Sequence, residues 1–261
     1  MVKLSLLMPF YRSKYIGWLP FESLIRQKNI DFEWELLLIE ENNNESFSYE
    51  QISKYIPKLK ELGCKQIFYE KLNEWVPLAY KIGMLIKYSK GDILTFAVAD
   101  HYSAPTRLKS CYDAFKNNID WYRDSKLIFY DIETEELAVR RVSSRGACCK
   151  AVRRDIAEKI PVEINRWKGI DGWFYKQCSK VKSMKTYVNK IDWEHGLNTH
   201  GFGNLTPERG NKLNNHSHKF LKCNTKLEDI VPMEIVQRLK NSKKQLQNHI
   251  IDIPNGERSN E

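Results

Sequence analysis

Four short apolar runs constrain the fold of this chain more than any other feature: Leu4-Ser5-Leu6-Leu7-Met8, Glu35-Leu36-Leu37-Leu38-Ile39, Gln66-Ile67-Phe68-Tyr69 and Ile93-Leu94-Thr95-Phe96-Ala97. Runs of this length, bounded by turn residues, read as buried strands. Helical patterns separate them. Ile16 to Arg26 carries Leu19, Leu24 and Ile25, and Gln51 to Leu62 sets Ile52, Tyr55, Ile56 and Leu59 at helical spacing, with Gly63 at the C′ position. Pro77 opens the next helix, whose inner stripe is Leu78, Ile82, Leu85 and Ile86, and Gly83 allows close packing there. Strands separated by helices pair in parallel, and parallel sheets bind ligands outside the carboxyl ends of their strands. Glu40, Glu41 and Asp100 stand at such ends.

The alternation stops in the second half. Thr106 to Asn117 reads as a helix, but Lys126–Tyr130 and Leu137–Val139 read as two strands joined by an acidic turn, and Gly146–Lys150 as a third strand leading into a helix from Arg153 to Lys159. A glycine-punctuated stretch from Trp167 to Trp173 continues as a helix through Cys178, and Lys185–Val188 is a short strand. Asp192 to Asn215 reads as one long loop, of the kind that usually carries function. Ile230, Met233, Val236 and Leu239 predict a C-terminal helix, with a frayed tail from Pro254. The expected organisation is one domain over residues 1–225, with a nucleotide-binding half (1–120) and an acceptor half (121–225), followed by a helix and tail (226–261).

With 261 residues the chain can bury a sizeable core, and its net charge of +9 favours partners that carry phosphate: a nucleotide, an acidic lipid surface or a nucleic acid. Nucleic acid is the weakest of the three, because no basic-aromatic repeat or helix-turn-helix pattern accompanies the charge. Six cysteines without a CxxC pair argue against a zinc ribbon or a disulfide framework and for a reducing, cytoplasmic setting. No apolar run reaches the length of a membrane span, which leaves peripheral membrane contact as the only kind expected.

In their order these segments resemble a family 2 glycosyltransferase of the GT-A fold, over roughly Val2 to His200. LSLLMPFY resembles the family's first strand and the loop beside the nucleotide, and Ser23 to Gln27 its SLxxQ helix. ELLLIEEN resembles the second strand, where the family usually has two aspartates and a glycine. Ala79 to Gly83 resembles a helix motif in which Lys81 replaces the usual asparagine. Gly91 to Asp100, with Pro105 and Leu108 after it, is similar to the strand that delivers a DxD motif, but Val98 replaces the first aspartate. Trp167-Lys168-Gly169-Ile170-Asp171 is similar to a glycine-Glu-Asp segment with Ile170 in place of the glutamate.

The resemblance implies an α/β, GT-A-like single domain, with a mostly parallel nucleotide-binding sheet, a mixed acceptor-side half and a C-terminal helix. It implies inverting transfer of a sugar from a nucleotide-sugar donor, a UDP-sugar foremost, to a hydroxyl of a saccharide, lipid-linked or protein acceptor. Pro9, Phe10, Tyr11, Glu40, Glu41, Lys81, Ala99 and Asp100 would line the nucleotide site. Asp100 and His101, with His195 or His200, would hold Mn²⁺ or Mg²⁺, a hard ion that neutralises the departing diphosphate. Asp171 would be the general base, and Trp167 and Trp173 would face the acceptor.

Each of these residues also has an ordinary use. Asp100 and Asp171 can cap a turn or a helix, and Glu40 and Glu41 can end a strand in solvent. His101, His195 and His200 can be plain surface histidines, one tryptophan can serve the core, and Arg140, Arg141, Arg145, Arg153 and Arg154 can form a solvated face. His216, His218 and Cys223 lack the second pair that a zinc site requires. Val98 and Ile170 keep open a nucleotide-sugar-binding protein that has lost turnover.

Overall fold

The computed structural model describes residues 3–44, 46–124, 126–131, 137–141, 150–159, 181–184, 190–194, 220–222 and 226–252. Its centre is four parallel strands, β1 (Leu4–Pro9), β2 (Trp34–Glu41), β3 (Cys64–Leu72) and β4 (Ile93–Phe96), in the order β3-β2-β1-β4. Every residue of β1, β2 and β4 is buried, so these strands are covered on both faces instead of alternating between core and solvent. Successive side chains still divide between two cores. Leu6, Met8, Leu36 and Leu38 pack with helices α1 (Trp18–Leu24), α2 (Tyr49–Ser53), α3 (Ile56–Glu61) and α5 (Arg107–Phe115). Leu7, Leu37 and Ile39 pack with α4 (Leu78–Tyr88) and α6 (Arg154–Ala157).

Beyond β4 the sheet continues through β9 (Lys150–Arg153), antiparallel to both its neighbours, to β6 (Trp121–Asp124) and β10 (Val181–Met184). A second, five-stranded sheet has the order β12-β8-β7-β11-β5: Phe220–Lys222, Leu137–Arg141, Lys126–Asp131, Lys190–Glu194 and His101–Ser103. Strand β5 begins directly after Asp100. That acid therefore stands at the junction of the two sheets.

The C-terminal segment, a 3-10 turn at Leu227–Asp229 and α7 (Met233–Asp252), places Leu227, Val231, Ile235, Val236 and Leu239 in the same core as β1 and α1. A polar seam borders it. The Arg238 guanidinium lies 4.0 Å from the Trp18 ring and 3.0 Å from Glu22, which also accepts from Arg26 at 2.6 Å and from the Tyr55 hydroxyl at 3.1 Å.

Several expectations are shifted by local chemistry. The helix expected over Gln51–Leu62 is two helices: Ser48 and Gln51 form a capping box that starts α2, and Pro57, which lacks an N–H, opens α3. Strand β1 runs through Pro9 instead of ending before it, because β4 pairs only as far as Leu7 and demands no N–H beyond. Of the strand expected at Gly146–Lys150, residues 146–149 lie outside the described residues and Lys150 begins β9, and the long loop expected from Asp192 begins with three residues of β11. The short strand expected at Lys185–Val188 lies outside the described residues. Arg153 and Arg154 are braces more than a solvated face: Arg153 pairs with Asp155 and Asp120, and Arg154 donates to the Gly91 carbonyl at 2.9 Å.

The start of β4 is held against β1 and β2. The buried Glu35 carboxylate accepts from the Ser5 hydroxyl at 2.6 Å and from the backbone N–H of Lys90 and Gly91, while Gly91 also donates to Ser5 Oγ at 2.8 Å. A Cβ on Gly91 would lie 2.7 Å from the backbone of Leu4 and Ser5, which cannot give way without breaking the ladder. Gly91→Ala is expected to cost about 1–3 kcal/mol. Urea unfolding checks it: the midpoint should fall while the m-value stays constant.

Candidate functional site

The carboxyl ends of β1, β2 and β4 are staggered: β4 stops at Phe96, opposite Leu7, β1 stops at Pro9, opposite Ile39, and β2 runs on to Glu41. The Phe10 N–H donates to the Ile39 carbonyl at 2.8 Å and the Ala97 N–H to the Leu7 carbonyl at 3.0 Å, so main-chain pairing continues one residue past Pro9 and one past Phe96. The loops that leave these ends share one edge of the sheet.

From β1 come Pro9 and Phe10, both buried, then Tyr11 and Arg12, half-buried. Arg12 has φ +48°, a left-handed conformation that non-glycine residues seldom adopt. The Ser13 hydroxyl donates to the Tyr11 carbonyl at 3.1 Å, and the Gly17 N–H donates to the Ser13 carbonyl at 2.6 Å. The Arg12 guanidinium lies 5.1 Å from the centre of the Tyr11 ring.

Glu40 and Glu41, adjacent in sequence, turn to opposite faces of β2, and both are buried. Glu40 accepts from the Phe47 N–H at 2.8 Å and from the Tyr69 hydroxyl at 2.7 Å. Burial pushes its carboxyl up to about 7, although those two hydrogen bonds pull the other way. Glu41 forms an ion pair with Lys81, from the first turn of α4, and Lys81 also donates to the Phe10 carbonyl at 2.8 Å. The acid pair that the sequence places at a strand end thus consists of two internal carboxylates in different environments.

Asp100 sits on a turn closed by the His101 N–H donating to the Val98 carbonyl at 3.1 Å, with Ala99 half-buried beside it. Its side chain is 22% exposed, and His101 Nε2 lies 3.5 Å from its Oδ1. His101 Nδ1 accepts from the Val98 N–H at 3.4 Å, so a neutral ring carries its proton on the side of Asp100. The turn is supported from below by two residues that sequence reasoning did not assign to the site. Buried Arg107 donates to the Phe96 carbonyl and to Ser103 Oγ at 2.7 Å. Gln27 donates to the Ala104 carbonyl at 2.8 Å and accepts from the Leu108 N–H at 3.0 Å, which ties the SLxxQ segment to the chain after Asp100. A cation in the first turn of a helix opposes the helix dipole, and that was the available signal for Arg107.

Of the expected metal ligands, Asp100 and His101 are brought together; among the described residues no group of three His, Cys, Asp or Glu is close enough to hold an ion. The Asp100 carboxylate is a suitable hard donor, and a diphosphate would supply further oxygens. Asp171, Trp167, Trp173, His195 and His200 lie outside the described residues.

The parallel sheet, its antiparallel β9 and the acid at the junction of two sheets define a GT-A-like fold, and the solved structures that it resembles include GT-A-type glycosyltransferases. TarS of S. aureus superposes with a TM-score of 0.57 at 14% identity, covering 75% of this chain and 37% of that one. TarS 1–349 in complex with UDP-GlcNAc gives 0.59 at 12%, covering 81% and 64%. The mannosyltransferase PcManGT of Pyrobaculum calidifontis, in complex with GDP-Man and Mn²⁺, gives 0.52 at 11%, covering 74% and 56%. The chain thus spans less than two thirds of the length of each. No family model matches the sequence, and no curated protein matches it. The likeness establishes the fold.

The raised carboxyl of Glu40 has a consequence for stability. In the unfolded chain it ionises near 4.5 and in the folded protein near 7, so between these values the native state holds a proton that the unfolded state has released. Its contribution to stability therefore falls as pH rises through that window and levels off above it. Glu40→Gln removes the titration. The unfolding free energy of the parent minus that of the variant should decline by roughly 3 kcal/mol at most from about pH 4.5 to pH 7.5 in urea titrations; identical pH profiles would contradict the assignment.

Proposed function

We propose that this chain is an inverting glycosyltransferase of family 2 type that transfers a sugar from a nucleotide-sugar, UDP-linked in the first instance, to an acceptor hydroxyl. The observation that carries the reading is the convergence of the Phe10–Arg12 loop and the Asp100 turn on adjacent carboxyl ends of a parallel sheet, where such sheets bind nucleotides. Similar solved structures hold UDP-GlcNAc or GDP-Man with Mn²⁺.

In this reading the nucleotide lies along Pro9, Phe10, Tyr11, Ala99 and Asp100, with Glu40, Glu41 and Lys81 beneath them. Asp100 and His101, with His195 or His200, would hold a divalent ion. When bound, that ion offsets the negative charge developing on the diphosphate. Asp171 takes the proton of the acceptor hydroxyl as its oxygen attacks the anomeric carbon, and the bond to the diphosphate breaks on the opposite face. Trp167 and Trp173 would stack on a saccharide, lipid-linked or protein-borne acceptor. Residues 1–120 form the donor half and 121–225 the acceptor half, with 226–261 appended. No helix among the described residues is long and apolar enough to cross a membrane, and a cytoplasmic protein in peripheral contact with a membrane belongs to the same reading. The rival is a nucleotide-sugar-binding protein without turnover, favoured by Val98 at the first acid position.

Thermal unfolding with UDP, GDP, CMP or dTDP, with and without Mn²⁺, tests the donor site. One nucleotide should stabilise selectively, by about 2.7 kcal/mol at a hundredfold excess over Kd, and no response to any of them would sink the reading. Asp171→Asn should lower kcat by roughly 10²–10⁴ with nucleotide affinity retained. Equal rates would remove Asp171 from the mechanism, and no transfer or donor hydrolysis by the parent would favour the rival.

A further inference from the structure

Lys81 occupies a costly position. It lies in the first turn of α4, where the helix dipole opposes a cation, and its side chain is only 4% exposed. Burial draws its ammonium below the ordinary lysine range, and Glu41, itself 5% exposed, pulls it back up. An apolar pair of similar volume would fill this space at no greater cost, so packing alone does not account for the two charges.

The partners of the ammonium show what it holds. A lysine has three donors. One goes to Glu41 at the end of β2, one to the Phe10 carbonyl at the end of β1, and the Tyr11 ring, 5.3 Å from the nitrogen, covers a further side. The next residue is Arg12, at φ +48°. Such a conformation is strained and persists only where its surroundings over-determine it. Here the two carbonyls that precede Arg12 are both fixed, Phe10 by Lys81 and Tyr11 by the Ser13 hydroxyl.

Resting on the glycosyltransferase reading above, we propose that Lys81 is a positioning residue: it does not touch the nucleotide but clamps the Phe10–Arg12 loop, through the Phe10 carbonyl, in the shape that receives it. The asparagine usual at this position in the family that the chain resembles is replaced by a group long enough to reach across from α4 to β1.

The test uses the full chain and three variants. Lys81→Met leaves Glu41 buried without its cation and should be strongly destabilised. Lys81→Met/Glu41→Gln removes both charges and should regain most of the stability without regaining the bond to Phe10. Lys81→Arg keeps a donor for the carbonyl. Binding of UDP with Mn²⁺, measured by calorimetry, should weaken about tenfold or more in the double variant, as the competent fraction of the loop falls to about a tenth, and recover most of its strength in Lys81→Arg. Tryptic cleavage after Arg12, located by mass spectrometry without nucleotide, should speed up in Lys81→Met and in the double variant but not in Lys81→Arg. Parent-like affinity and cleavage in the double variant would overturn the proposal, as would equal weakening in Lys81→Arg. Failure of the parent to bind UDP, GDP, CMP or dTDP would instead refute the functional reading, and the cleavage rates would still decide whether Lys81 clamps the loop.

Discussion

The in-register parallel pairing of β1 with β2 on one side and β4 on the other is the constraint from which the rest follows. It sets Leu7 opposite Leu37 and Phe96, ends three adjacent strands in a two-residue stagger, and delivers Tyr11, Glu41 and Asp100 to one edge. It also requires cover on both faces, which the helices of the two cores supply. Placement of the candidate site and burial of the core are thus one event. A one-residue slip would exchange the faces of β2 and send Glu40 to Lys81 and Glu41 to Tyr69.

That exchange would matter because the two glutamates are used differently. Glu40 is held between a backbone N–H and a tyrosine hydroxyl in an environment that favours its protonated form, whereas Glu41 meets a full positive charge. Residue type does not distinguish them; the face of the strand does. One acid braces the chain at Phe47 against β3, and the other links β2 to α4 and, through Lys81, to the loop at Arg12.

Much of this was legible in the sequence for a physical reason. Strands buried on both faces leave uninterrupted apolar runs, Pro77 marks a helix start, and Gly63, at φ +84°, ends one as expected. The position of Asp100 followed from the rule for parallel sheets. The three residues of β5 are too few to show a period, and the antiparallel insertion of β9 between β4 and β6 depends on pairings distant in sequence. The inward turn of Glu40 and Glu41 was equally illegible, because burial of an acid is decided by partners such as Tyr69 and Lys81 that only the fold brings near.

The turn at Val98–His101 is built from main-chain bonds and the His101 ring, and it is fastened by Arg107 through Phe96 and Ser103 and by Gln27 through Ala104 and Leu108. None of these bonds uses the side chain of residue 98. The mount is therefore independent of what it displays: a change of side chain at position 98 removes none of these bonds. The number of carboxylates at this edge is a chemical setting and not an architectural one.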